Sequence, residues 1–187
     1  MEIKDVIKYY FNNKRYCKVY RQVSGEKDEK SNGYIVDYSN KFVLLQTTDD
    51  FVIDGFSVFP IESITGLQSN NSDRYYDKIM NAEGLVQGIH NKHKINLSSW
   101  ESIFRSIKKA GLNVIVENED PEDNSFDIGP IIRVTNSAVS IRYFNAKGYL
   151  DDKPTSIKWR LITIVRFDEH YINTFSKYLR ERPARKN

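Results

Sequence analysis

The chain has 187 residues, 40% of them hydrophobic and 28% charged, with a formal net charge of +3. That length fits one ordinary domain or two small ones, and the composition argues against a disordered chain. No apolar run approaches the roughly 20 residues of a bilayer-spanning helix, and the lone Cys17 excludes an internal disulfide and a cysteine-based zinc site. The first residues, MEIKDVIKYYFNNKRY, mix charges with apolar positions and contain no secretory core, so a cytoplasmic protein is expected.

Ile3, Val6, Ile7, Tyr10 and Phe11 recur at helical spacing and predict an N-terminal helix. Cys17–Val23 then alternates as a half-buried strand, with Cys17, Val19 and Arg21 on one face. Residues 24–32, SGEKDEKSN, are polar throughout and read as a loop. Short strands follow at Gly33–Tyr38, Phe42–Gln46, Gly55–Phe59 and Glu62–Leu67, divided by turn residues such as Ser39-Asn40 and Pro60. Strands this short cover their apolar faces and edges best by curling into a small barrel. A helix is expected over 72–83, closed by Gly84, and residues 85–97 are a linker.

Ser98-Ser99-Trp100-Glu101 fits a capping box, and Trp100, Ile103, Phe104 and Ile107 form the stripe of the helix it opens. Strands follow at Leu112–Val116, Gly129–Thr135, Ala138–Phe144, Ser156–Trp159 and Ile162–Phe167, with an acidic loop, ENEDPEDN, at 117–124. A closing helix is expected over 170–181.

The two halves line up. Gly33-x-Ile35-Val36 matches Gly129-x-Ile131-Ile132, Ser39-Asn40 matches Thr135-Asn136, and Tyr75 matches Tyr171, all at one offset. Ile64-Thr65 matches Ile162-Thr163 two residues later. This points to an internal duplication. The expected fold is mainly β with flanking helices: two tandem small five-stranded SH3/Sm-like barrels, each entered by an N-terminal helix. The expected units are 1–84, a linker at 85–97, and 98–187.

The order of one helix and five short strands resembles the Sm-like fold. The whole chain is similar to a family of uncharacterised bacterial proteins, through GYIVDYSNKFVLLQTTDDFVIDGFSVFPIESI in the first half and IRYFNAKGYLDDKPTSI in the second. The resemblance implies tandem barrels and no particular activity. Sm-like proteins often bind RNA, but the position of their base-reading Asn falls near Phe42-Val43 and that of their Arg-Gly pair near Pro60. The second half has Ala138-Val139 and Lys158-Trp159 there. The base pocket in its known form is absent.

Chemistry-bearing constellations are sparse. His90 and His93 are spaced for a shared helical face, but no third ligand is evident and the neighbouring lysines repel a cation, so they read as solvated linker residues. Asp49, Asp50 and Asp54 fit local hydrogen bonding at a hairpin tip. Cys17 alternates inward and reads as an inert thiol. No nucleophile elbow, phosphate loop or dinucleotide fingerprint occurs. No catalytic residue, metal or cofactor is expected. The expected role is a non-catalytic module that binds a protein partner or self-associates, without a membrane. The alternative is nucleic-acid binding through the second half: residues 1–88 hold 11 Lys/Arg and 13 Asp/Glu, whereas 89–187 hold 17 and 12. Its candidate contacts are Arg142, Phe144, Lys147, Lys158, Arg160, Arg180, Arg182, Arg185 and Lys186.

Overall fold

In the computed structural model, residues 2–24 and 28–183 are described. Helix α1 (Ile3–Asn12) precedes β1 (Tyr16–Gln22), β2 (Asp28–Tyr38), β3 (Phe42–Asp49), β4 (Val52–Pro60) and β5 (Ile64–Gln68). Helix α2 (Asn71–Ala82) ends the first half. The second half runs α3 (Trp100–Lys109), β6 (Val114–Asn118), β7 (Ser125–Gly129), β8 (Ile131–Val134), β9 (Ala138–Ile141), β10 (Thr155–Lys158), β11 (Ile164–Phe167) and α4 (His170–Ser176).

The protein is mainly β with flanking helices. The expected closed barrels are not found among the described residues. Instead an open antiparallel sheet of eight strands, ordered β5-β1-β2-β3-β4-β11-β6-β7, runs across both halves, and β10-β9-β8 form a three-stranded sheet. The seam is β4 against β11, where Val58 faces Val165 and Phe56 faces Phe167. Strands β7 and β8 are divided only by Pro130. Across that break Phe144 N–H donates to Ile128 O at 3.1 Å and Arg142 N–H to Pro130 O at 3.0 Å, tying the two sheets into one path.

The strand order is therefore the same in each half, last strand first, and local geometry repeats at the offsets read from the sequence. Gly33 and Gly129 have φ of 153° and 151°. A Cβ on either would lie 2.1 Å from a backbone carbonyl, that of Gln46 or Arg142. Only glycine fits such a bend. Ser39 Oγ accepts from the Phe42 N–H, and Thr135 Oγ1 accepts from the Ala138 N–H. A 3₁₀ turn follows the fourth strand in both halves, at Ile61–Ser63 and Trp159–Leu161.

The largest core is shared. It joins Tyr34, Phe42 and Phe56 with the α3 stripe, with Val165 and Phe167, and with Val86, Ile89, Ile95 and Leu97 of the connecting segment. A second core sits under α1, around Ile7, Val43, Leu45 and Phe59, and β11 contributes Ile164 to it. A small third core under α4 holds Ile115, Ile128, Phe144 and Ile172.

Several boundaries differ from expectation. The polar stretch expected as a loop supplies the first half of β2, because Asp28–Asn32 pair with β1 through their backbones. The α3 cap is Ser99, which accepts from the Ser102 N–H, while Glu101 pairs with Arg105. The full capping box lies at α2, between Asn70 and Asp73. The closing helix stops at Ser176, and Arg180 instead bridges to Tyr149.

Candidate interaction surfaces

The seam between the halves is held by charge as well as by the β4–β11 ladder. Alternation along β1 aims Arg21 inward, and the residue is 1% exposed. Its guanidinium lies 4.8 Å from the Phe59 ring centre and donates two bonds to Glu119, at 2.7 and 2.8 Å. Arg166 on β11 donates to Glu117. Burial alone would raise the Glu119 carboxyl, but the Arg21 bonds and charge, helped by Thr163, hold it below the usual range. Glu117 moves the other way, because its burial outweighs the Arg166 charge. Burial pushes neighbouring Glu169 up to about 7 against the pull of Arg166, with Asp54 and Glu117 adding repulsion. These groups, with Asn32, Ser57 and Asp54, line a polar cleft of about 330 Å³ at the seam. Among the described residues, Arg21 Nε, Arg166 Nε and Asn32 Oδ1 are buried there without hydrogen-bond partners, so the seam is fixed in place while three of its polar atoms stay unpaired within that set.

A second tie uses the connecting segment. Asp168, with φ 59°, accepts from His93 Nε2 at 2.8 Å and from Lys92 Nζ at 2.6 Å. These donors and Asn173 outweigh burial and keep its carboxyl below the usual range. His93 therefore belongs to a structural contact and is not a solvated linker residue. His90 Nδ1 faces the Gly88 carbonyl at 3.0 Å. Asp54 Oδ1 accepts from the His170 N–H at 2.6 Å. Cys17 is fully buried, and burial pushes its thiol up. No group of three or more His, Cys, Asp or Glu able to hold a metal occurs among the described residues.

The expected nucleic-acid contacts are not gathered on one free face. Arg142 pairs with Glu181, and Arg182 with Asp151. Arg180 lies 4.1 Å from the centre of the Tyr149 ring and donates to the Lys147 carbonyl. Phe144, expected to be available as a contact, is 2% exposed and stacks on Phe175 of α4. Lys147, Lys158 and Arg160 remain on the surface without ion pairs among the described residues. Arg185 and Lys186 lie outside the described residues.

Two grooves escaped the sequence reading. In the first, Lys14, Arg15, Arg74 and Lys78 surround a cleft of about 700 Å³ with Asn12, Asn13, Asn81 and Asp77. None of the four cations has an ion pair among the described residues, and Asp77 accepts from the Tyr34 hydroxyl at 2.8 Å. The Lys14-Arg15 pair and the i, i+4 spacing of Arg74 and Lys78 were the available signals. The second groove, of about 620 Å³, contains Trp100 and Trp159 and crosses between the halves.

No protein-family model, curated protein or solved structure matches the chain. No helix among the described residues is long and apolar enough to cross a membrane.

Proposed function

We propose that the chain is a non-catalytic assembly module, built by internal duplication from two SH3/Sm-like barrel units, and that it self-associates by pairing the edge strands of successive copies. The observation that carries this reading is the β4–β11 seam. There the fourth strand of one unit pairs antiparallel with the last strand of the other. The same two kinds of edge stand at the outer ends: β5, the last strand of the first unit, and β10, the fourth strand of the second, each have one neighbour among the described residues. Edge β5, ITGLQ, carries neither lysine nor proline, the usual protections against strand addition. Pairing β10 of one copy with β5 of the next would repeat the internal seam between chains. Such a contact is heterologous and gives a ring or a filament.

Lys158 provides the test. Trp159 N–H donates to Ser137 O at 3.2 Å. Alternation along the ladder then turns the Lys158 N–H away from β9. Its φ is −72°, close to that of proline. Lys158→Pro therefore blocks the outer edge without breaking an internal bond. Sedimentation velocity should show the wild type and Lys158→Gln assembling above the 21.9 kDa monomer as concentration rises, and Lys158→Pro remaining monomeric. A wild type that stays monomeric up to its solubility limit overturns the reading.

A nucleic-acid role is favoured by one observation, the unpaired cluster Lys14, Arg15, Arg74 and Lys78. Those contacts would give a log–log salt slope of about −0.7 per neutralised phosphate on single strands. A mobility-shift titration at two salt concentrations tests it. The assembly reading expects affinity near physiological salt no tighter than the ~10⁻⁴–10⁻⁶ M of non-specific association.

A further inference from the structure

The groove that crosses between the halves combines an aromatic floor with a cationic rim. Phe42 lies 4.7 Å from Trp100, Trp100 6.1 Å from Phe104, and Phe104 5.6 Å from Trp159, all between ring centres. Phe42, Trp100 and Trp159 line the groove, and the fully buried Phe104 beneath them joins the two tryptophans into one apolar path from β3 to the turn after β10. Pro60 and Ile61 extend it on the first-half side. Both tryptophans of the chain stand in this one groove. Trp159 is anchored by donation of its indole N–H to Asn136 O at 2.9 Å. Around the floor stand Lys4, Lys41 and Arg160, with Glu62 the one carboxylate of the lining. The three cations are exposed and have no ion pairs among the described residues.

We propose that this groove docks an extended acidic peptide segment of a partner protein. An apolar side chain would sit on the tryptophans while flanking carboxylates meet Lys4, Lys41 and Arg160. Charge complementarity selects an acidic occupant, since the lining carries three cations against one anion. The ring geometry selects a peptide over a nucleic-acid strand. Trp159 already spends one face on Phe104, at an interplanar angle of 23°, and Trp100 is only 9% exposed. Stacked bases need open ring faces, whereas an aliphatic anchor needs only apolar surface to cover. The inference is independent of edge-strand assembly.

The experiment selects short random peptides displayed on phage against the immobilised full chain. The expected result is enrichment of sequences with acidic residues around one bulky apolar residue. The winning peptide, synthesised, should change the intrinsic tryptophan emission on titration. Reversing two rim charges, Lys41→Glu with Arg160→Glu, should weaken it about tenfold or more, because two solvent-exposed attractions become repulsions. Lys109→Glu, on the exposed side of α3, should leave binding unchanged, and circular dichroism should show all variants folded. No enrichment, enrichment without acidic residues, or equal binding by the double variant overturns the proposal. So does a single-stranded oligonucleotide that quenches the tryptophans with the same variant dependence, which would give the groove to nucleic acid.

Discussion

The Arg21–Glu119 pair lends itself to a complete thermodynamic cycle, because both partners are enclosed and each belongs to a different half of the chain. At a charge separation of about 4 Å and an effective dielectric of 20, the attraction is about 4 kcal/mol. Withdrawal of two ions from water offsets much of that gain. The burial is demanding here, since Arg21 is 1% exposed and its Nε has no hydrogen-bond partner among the described residues. Arg21→Met strands Glu119, which among the described residues keeps Thr163 Oγ1 at 2.8 Å and the weaker help of Arg166. Glu119→Leu strands the guanidinium beneath Phe59. Each single change should cost about 3–5 kcal/mol, the usual penalty for an uncompensated buried charge. The double variant, Arg21→Met with Glu119→Leu, should recover most of that loss and come within about 1 kcal/mol of the wild type. Urea unfolding followed by tryptophan emission measures all four corners. Single losses below about 1 kcal/mol, or a double loss equal to their sum, would refute the reasoning.

Trp100→Ala should cost about 3–5 kcal/mol in the same urea assay, because the indole bridges Phe42 of one half and Phe104 of the other; a loss under about 1 kcal/mol would place it outside the core. Gly33→Ala and Gly129→Ala should each cost at least about 1–3 kcal/mol of backbone strain, plus displacement of the facing carbonyl, and hydrogen exchange should accelerate at β3 for the first and β9 for the second. Glu169 binds its proton more tightly in the folded state, where burial lifts it to about 7, than in the unfolded state near 4.5. Stability associated with it is therefore fully present only below pH 4.5 and is lost progressively as pH rises through 7. Glu169→Gln should then stabilise the protein at pH 8, by on the order of 3 kcal/mol, and have little effect at pH 5; thermal melts across pH check the sign.

Much of this fold was legible because it is local. The glycines at 33 and 129 mark tight bends, the Ser39 and Thr135 turns carry their own hydrogen bonds, and the α3 stripe is fixed by helical spacing. The inward turn of Arg21 followed from strand alternation alone. The seam was not legible, because Val58 and Val165 meet across most of the chain and no short-range pattern encodes which edge finds which. The first part of β2 was missed for a related reason: its backbone pairs while its polar side chains leave no apolar alternation. Phe144 misled because strict alternation ends with β9 at Ile141, after which α4 supplies a covering ring at Phe175. The grooves escaped because each gathers residues from separate elements.

The distribution of charge bears on which symmetry the proposed assembly takes. Eleven basic and thirteen acidic residues in the first 88 positions, against seventeen and twelve in the rest, give the halves opposite net signs. A two-fold dimer joined through either outer edge would set like against like, two positive halves at β10 or two negative ones at β5. Joining β10 to β5 sets the positive half of one copy against the negative half of the next, as β4 and β11 already do within the chain. At physiological salt the Debye length is about 8 Å, so the whole-half charges contribute little to the stability of the joined state. Their effect falls on orientation during approach, where a field extending beyond contact favours one docking over its alternatives. In the proposed assembly the inter-chain ladder would supply the affinity, and the charge asymmetry the direction of docking.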